Sequence, residues 1–105
     1  MCDKKCTRFP FKHSKLCKNL PQEPGIYAFW FGRTCVYVGK TERQTLRDRL
    51  IKHWESTHND ILELWIKAKN DKLDISYKII DKRSEIHRYE RYYIKILNPL
   101  ANKTR

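Results

Sequence analysis

Acidic residues are scarce in this 105-residue sequence, which sets 12 Asp and Glu against 23 Lys and Arg for a formal charge of +11. Solubility alone asks for far less, so the imbalance points to a polyanionic partner. Nucleic acid is the expected one, because each phosphate neutralised by a Lys or Arg releases a condensed counterion whatever the base sequence. A membrane surface would also attract such a charge, but long apolar runs are missing. The longest, Ile26 to Phe31, falls far short of a bilayer span, and the basic N-terminus is followed by no apolar signal core. Cysteine is sparse as well. Cys2, Cys6, Cys17 and Cys35 are too few for a disulfide scaffold in a chain with this many core-forming residues. The expectation is a cytoplasmic or nucleoid-associated protein, not a secreted one, acting as a monomer or a homodimer. Its length suits one domain with a single core.

What is present has a clear order. Residues 1–22 are basic, with Lys4, Lys5, Arg8, Lys12, Lys15 and Lys18 against Asp3, and read as an N-terminal extension to a domain over 23–105. The extension holds four potential zinc ligands, Cys2, Cys6, His13 and Cys17, at a spacing that matches no common finger; a zinc knuckle competes here with a plain basic tail. From Gly25 two apolar stretches, Ile26 to Phe31 and Cys35 to Val38, flank Gly32-Arg33-Thr34, which predicts a β-hairpin. The first stretch is apolar at every position, so both faces of that strand should be covered. Leu46, Leu50 and Trp54 predict a helix over about 45–58; Ile61, Leu62, Trp65 and Ile66 predict a second. Leu73, Ile75, Tyr77 and Ile79 alternate as a third strand, and a last helix runs from about Ser84, a candidate N-cap, to Leu97 before Asn98-Pro99. The order is ββααβα, an α+β domain with a three-stranded antiparallel sheet flanked by helices. Cys35, in a strand, is expected in the core.

Three features break the apolar patterns. Glu90 interrupts the stripe of the last helix between Ile86 and Tyr93-Ile94; a carboxylate there needs a cation or a cleft, and Arg88 and Arg91 offer a surface ion pair as the simpler account. Arg49 and His53 lie four apart and share one helical face, which by itself fits a solvated basic surface equally well. Tyr27 and Tyr37 lie on the two hairpin strands. An odd loop would make them partners on one face, an even loop would part them.

Together these positions resemble the GIY-YIG nuclease family from Gly25 to Asn102. The name-giving tripeptides are Gly25-Ile26-Tyr27 and Tyr37-Val38-Gly39, extended by Lys40-Thr41. The family's helical arginine has two candidates in Leu46-Arg47-Asp48-Arg49-Leu50; Arg49 is preferred because Leu50 follows it and His53 lies one turn on. Glu90-Arg91-Tyr92-Tyr93-Ile94-Lys95 resembles the family's metal-binding segment, and Asn98-Pro99-Leu100-Ala101-Asn102 supplies the terminal asparagine, with Asn102 preferred to Asn98.

The resemblance implies a metal-dependent DNA endonuclease that leaves 5′-phosphate and 3′-hydroxyl ends. Mg²⁺, with Mn²⁺ a possible substitute, would be held by Glu90 and the substrate phosphate; Zn²⁺ would be confined to the N-terminal set. Arg49 would stabilise the phosphate, and Tyr27, assisted by His53, would activate water. Tyr37 would hydrogen-bond phosphate or water, and Asn102 would fix the site's geometry. Gly39, Lys40 and Arg47 would contact DNA. A phenol is a poor base at neutral pH unless nearby cations lower its pKa, and the basic site is expected to do so. The alternative is a catalytically weak nucleic-acid-binding module that works with a partner.

Overall fold

The computed structural model describes residues 8–57, 59–69 and 71–104. In chain order the elements are β1 (Phe9–Pro10), α1 (His13–Asn19), β2 (Gly25–Phe31), β3 (Thr34–Thr41), α2 (Leu46–Glu55), α3 (Asp60–Lys69), β4 (Leu73–Ile79), α4 (Arg83–Leu97) and a 3-10 turn at Ala101–Thr104. The strands form one antiparallel sheet in the order β1-β4-β2-β3, which puts β3, carrying the second tripeptide, at an edge.

The uninterrupted apolar stretch Ile26–Phe31 is explained by this order. β2 lies between β3 and β4, and each of its faces feeds a separate core. Tyr27 and Phe29 point into one, with Leu46 and Leu50 of α2 and Leu62 of α3. Ile26, Ala28 and Trp30 point into the other, with Cys35, Val38, Ile80 and Ile86 of α4. The one polar atom that β2 carries into this second layer, the Trp30 indole N–H, donates to Ser76 Oγ at 2.8 Å. Burial there costs little because the bond is made.

The sheet has four strands where three were expected. The added one is β1, two residues long and containing a proline, so it has neither the length nor the alternation by which a strand is recognised. Phe9 pairs with Ile75, and Phe11 N–H donates to Leu73 O at 2.9 Å. The segment read as a basic extension thus carries Phe9, Phe11, Leu16 and Leu20 into the same core as Tyr27 and Phe29. Its lysines face outward on α1, so the basic surface and the buried side belong to one amphipathic segment.

Two helix ends also differ from expectation. α2 starts after Thr45, whose hydroxyl caps Asp48 N–H at 3.1 Å, but it stops at Glu55 because Ser56 is already extended. α4 begins at Arg83 with no side-chain cap, which places Ser84 inside the first turn. Its far end is as the sequence indicates: Asn98 takes the left-handed conformation with φ 50° and closes the helix before Pro99. No helix among the described residues is long and apolar enough to cross a membrane.

Phe11 is fully buried and stacks edge-on against Phe29 at 4.8 Å between ring centroids. Phe11→Ala is therefore expected to lower stability by about 3–5 kcal/mol, against no more than about 0.5 kcal/mol for exposed Lys15→Ala. Urea unfolding measures both, and equal midpoints would show that this segment contributes nothing to the core.

Candidate active site

The hairpin register decides whether the two motif tyrosines meet. The turn is even, Gly32-Arg33 with Gly32 at φ 60°, and without correction an even turn would send Tyr27 and Tyr37 to opposite faces. A β-bulge between Phe29 and Trp30 absorbs one extra residue on β3: Trp30 faces Cys35, whereas Phe29 faces Tyr37. Both Val36 and Tyr37 consequently pack on the Tyr27 side. Tyr27 and Tyr37 end as diagonal neighbours, 6.2 Å between ring centroids, and not as direct partners.

The direct partner of Tyr27 is Gly39. The Tyr27 ring lies across it so closely that a Cβ at position 39 would collide with the phenol carbon and oxygen. Gly25 is constrained in the same way from β4, where a Cβ would strike the Lys78 carbonyl. The glycines of the two motifs are thus there for space.

Folded over Gly39, the Tyr27 hydroxyl meets α2. Its Oη lies 2.7 Å from His53 Nε2, with both residues buried, and the Arg49 guanidinium stands beside the phenol as the neighbouring cation. His53 Nδ1 lies 3.0 Å from Thr57 Oγ1. A phenol that keeps its proton can donate it to His53 Nε2, and in that tautomer the Nδ1–H donates to Thr57 Oγ1. Thr57, just past the end of α2, was not among the sequence candidates; its place four residues after His53 was its only signal. Tyr37 and Phe29 close the ring stack around His53 at centroid distances of 5.9 and 5.5 Å.

The expectation that the basic surroundings lower the Tyr27 pKa is overturned. Burial pushes it well up, Tyr37 and Glu90 push the same way, and Arg49 opposes without prevailing. At neutral pH Tyr27 is a phenol held between a cation and an imidazole.

Arg47 and Arg49 part company because two residues along a helix point to nearly opposite sides. Arg47 donates Nε to the Leu20 carbonyl at 3.0 Å, fastening α2 to the N-terminal segment, while Arg49 faces Tyr27.

Residues of β3 alternate, so Lys40, opposite Ile26, emerges on the other face of the sheet, where α4 packs. There its Nζ lies 3.1 Å from Glu42 Oε1, 2.8 Å from His87 Nδ1 and 3.9 Å from Glu90 Oε1. Glu90 is 15% exposed, so its carboxylate is partly withdrawn from water beside a lysine, and Arg88 pairs instead with Glu85. The two halves of the site come from opposite faces and meet across edge strand β3. Asn102 secures that edge: its Oδ1 accepts from Val38 N–H at 2.8 Å and its Nδ2 donates to Val38 O at 3.0 Å, as a neighbouring strand would. Asn98, by contrast, serves as the α4 cap.

Among the described residues no group of three His, Cys, Asp or Glu side chains is placed to hold a metal. Glu90 nevertheless fits a divalent ion of the Mg²⁺ type, which keeps several waters and needs one or two carboxylates. Of the four possible zinc ligands, Cys2 and Cys6 lie outside the described residues. His13 Nδ1 and Cys17 Sγ lie 3.8 Å apart on one exposed face of α1.

Known proteins share this fold. Residues 23–105 match the GIY-YIG catalytic domain. The UvrABC system protein C of Aquifex aeolicus (strain VF5) is 33% identical over 63 residues, a match covering 60% of this chain and 11% of that protein. The GIY-YIG N-terminal endonuclease domain of UvrC from Thermotoga maritima, bound to its catalytic divalent cation, magnesium, superposes with a TM-score of 0.67 at 24% identity, over 85% of this chain and 92% of that one. A point mutant of the same domain with its cation bound gives 0.65 at 24% identity, over 84% and 94%. With a family match over residues 23–105 and a fold in which both tripeptides line one site, the chain belongs to the GIY-YIG family.

Proposed function

We propose that the protein is a divalent-metal-dependent DNA endonuclease that leaves 5′-phosphate and 3′-hydroxyl ends. The observation that carries this reading is the Tyr27 hydroxyl fixed between His53 Nε2, at 2.7 Å, and Arg49, at the β3 edge across which Glu90 and Lys40 stand. Hydrolysis requires that a water lose a proton as its oxygen attacks phosphorus, while the bond to the 3′-oxygen breaks and that oxygen takes up a proton from solvent. A neutral phenol cannot simply take that proton. Tyr27 relays it, accepting from water while passing its own proton to His53, and Thr57 holds the imidazole in the receiving tautomer. Arg49 faces the charge that grows on the phosphate, a role suited to a permanently charged planar fork.

Tyr37 orients water or phosphate and Lys40 contacts backbone phosphate, whereas Arg47, turned to Leu20, and Gly39, covered by the Tyr27 ring, act through the fold and not as the DNA contacts expected of them. Asn102 acts as a positioning residue through Val38. A divalent ion on Glu90, Mg²⁺ or Mn²⁺, adds Lewis-acid charge at the phosphate. DNA as substrate is supported by the +11 charge and by the exposed row His87, Arg88, Arg91 and Lys95 on α4, with Tyr92 among them. In the N-terminal segment His13 and Cys17 would join Cys2 and Cys6 if zinc is bound.

A plasmid-nicking assay with Mg²⁺ tests the reading. Glu90→Gln is expected to abolish cutting; cutting at the parental rate would refute the metal assignment, and no cutting by the parent on duplex, nicked, flap or junction DNA would favour a binding module. Tyr27→Phe should slow cutting about 10²–10⁴-fold, the usual worth of a positioned proton-transfer group.

The same variant has a signature in stability. The folded phenol holds its proton more firmly than the unfolded one, whose ordinary value is 10.0, so the unfolded chain releases protons first. Stability from this group is complete below that value and is lost as pH rises above it. Between about pH 9 and about pH 11 the fall in Tm should be shallower in Tyr27→Phe. Gly39→Ala should cost about 1–3 kcal/mol by displacing the Tyr27 ring. Its loss of cutting should match Tyr27→Phe, and normal cutting would show that the close approach is dispensable.

A further inference from the structure

The Lys40 ammonium marks a place where a cation already sits among ligand atoms, 2.8 Å from His87 Nδ1 and 3.9 Å from Glu90 Oε1. An ammonium can only donate, so His87 must present the lone pair of Nδ1 toward this position. Sequence reading passed over His87. Yet it lies three residues before Glu90, on the same face of α4, with Nδ1 3.9 Å from Glu90 Oε1.

Two atoms bound to one octahedral ion at about 2.1 Å each are separated by about 3 Å when adjacent and about 4.2 Å when opposite. The His87–Glu90 separation of 3.9 Å matches neither value, and adjacent ligation asks the two atoms to close by about 0.9 Å. His87 is exposed, so its ring can turn by that amount without disturbing the core. Glu42, at 3.1 Å, keeps Lys40 neutralised beside the pair, and the flexible lysine can move onto substrate phosphate when an ion takes its place.

We propose that His87 Nδ1 is a second protein ligand, beside Glu90, for the divalent ion of this site, and that it tilts selectivity toward Mn²⁺ and away from Mg²⁺. The inference rests on the Glu90 assignment made above. Its chemical basis is that imidazole suits transition metals, whereas Mg²⁺ prefers oxygen. An all-oxygen site would have no such bias.

The test is ion binding to the full chain without DNA, by calorimetry with Mn²⁺ and with Mg²⁺, joined to pulsed electron paramagnetic resonance of the Mn²⁺ form. The parent should show nitrogen coupling to the manganese. His87→Ala should lose that coupling and weaken Mn²⁺ binding at least about tenfold while Mg²⁺ affinity changes less than about twofold. Glu90→Gln should weaken both ions. If His87→Ala retains nitrogen coupling or binds both ions as the parent does, while Glu90→Gln loses them, the His87 ligand is refuted and the Glu90 site stands. If Glu90→Gln binds as tightly as the parent, the Glu90 assignment fails, and the His87 proposal fails with it.

Discussion

The ring of Tyr27 lying across Gly39 is the contact on which the rest of this molecule turns. It requires that residue 39 carry no side chain, that β2 and β3 keep one register, and that α2 approach the sheet at the height of the phenol oxygen. Each condition has its own support. Gly25 lets β4 close against β2, Thr45 starts α2 at a fixed residue, and the bulge beside Phe29 returns Tyr37 to the Tyr27 side. Burial then does what the basic composition does not: it keeps the phenol protonated despite the Arg49 cation beside it.

Because β3 is an edge strand, the site draws on both faces of the sheet. Tyr27, Tyr37, Arg49 and His53 come from the α2 side; Lys40, His87 and Glu90 come from the α4 side. An edge strand also exposes unpaired backbone groups, an invitation to slip or to pair with another chain. Asn102 answers this at Val38 by imitating a strand with its amide, and Asn59 ties the same terminal turn to the start of α3 through Ala101 O at 3.1 Å. The functional edge is thereby made rigid at the residue between the motif tyrosine and the motif glycine.

Much of the fold was legible in the residues. The all-apolar β2, the Leu46-Leu50 stripe, the alternation of β4 and the Asn98-Pro99 stop each carry a local physical signal, and each appears where that signal puts it. What was not legible depends on contacts distant in sequence. β1 is two residues long and is a strand only because β4 offers it an edge, and the lysines of residues 8–20 hid four core residues behind a basic composition. A bulge leaves no mark where the residues around it, Phe29, Trp30, Cys35, Val36 and Tyr37, are all apolar. Arg47 and Arg49 differ by which side of α2 faces Leu20 and which faces Tyr27, a matter of docking and not of local sequence.

The sequence by itself determined the set of groups, namely two tyrosines, a helical arginine and histidine, a carboxylate in an apolar stripe and a late asparagine, together with the charge that calls for a polyanion. Periodicity assigns residues to elements because side-chain direction repeats along a helix or strand. Only the tertiary structure decided that the phenol is raised in pKa, that Asn102 serves the backbone of β3, and that Lys40 of β3 stands beside Glu90 of α4. The reason is common to all three. Burial, edge pairing and the approach of two side chains are set by how elements pack, and local residue order does not encode that packing distance by distance.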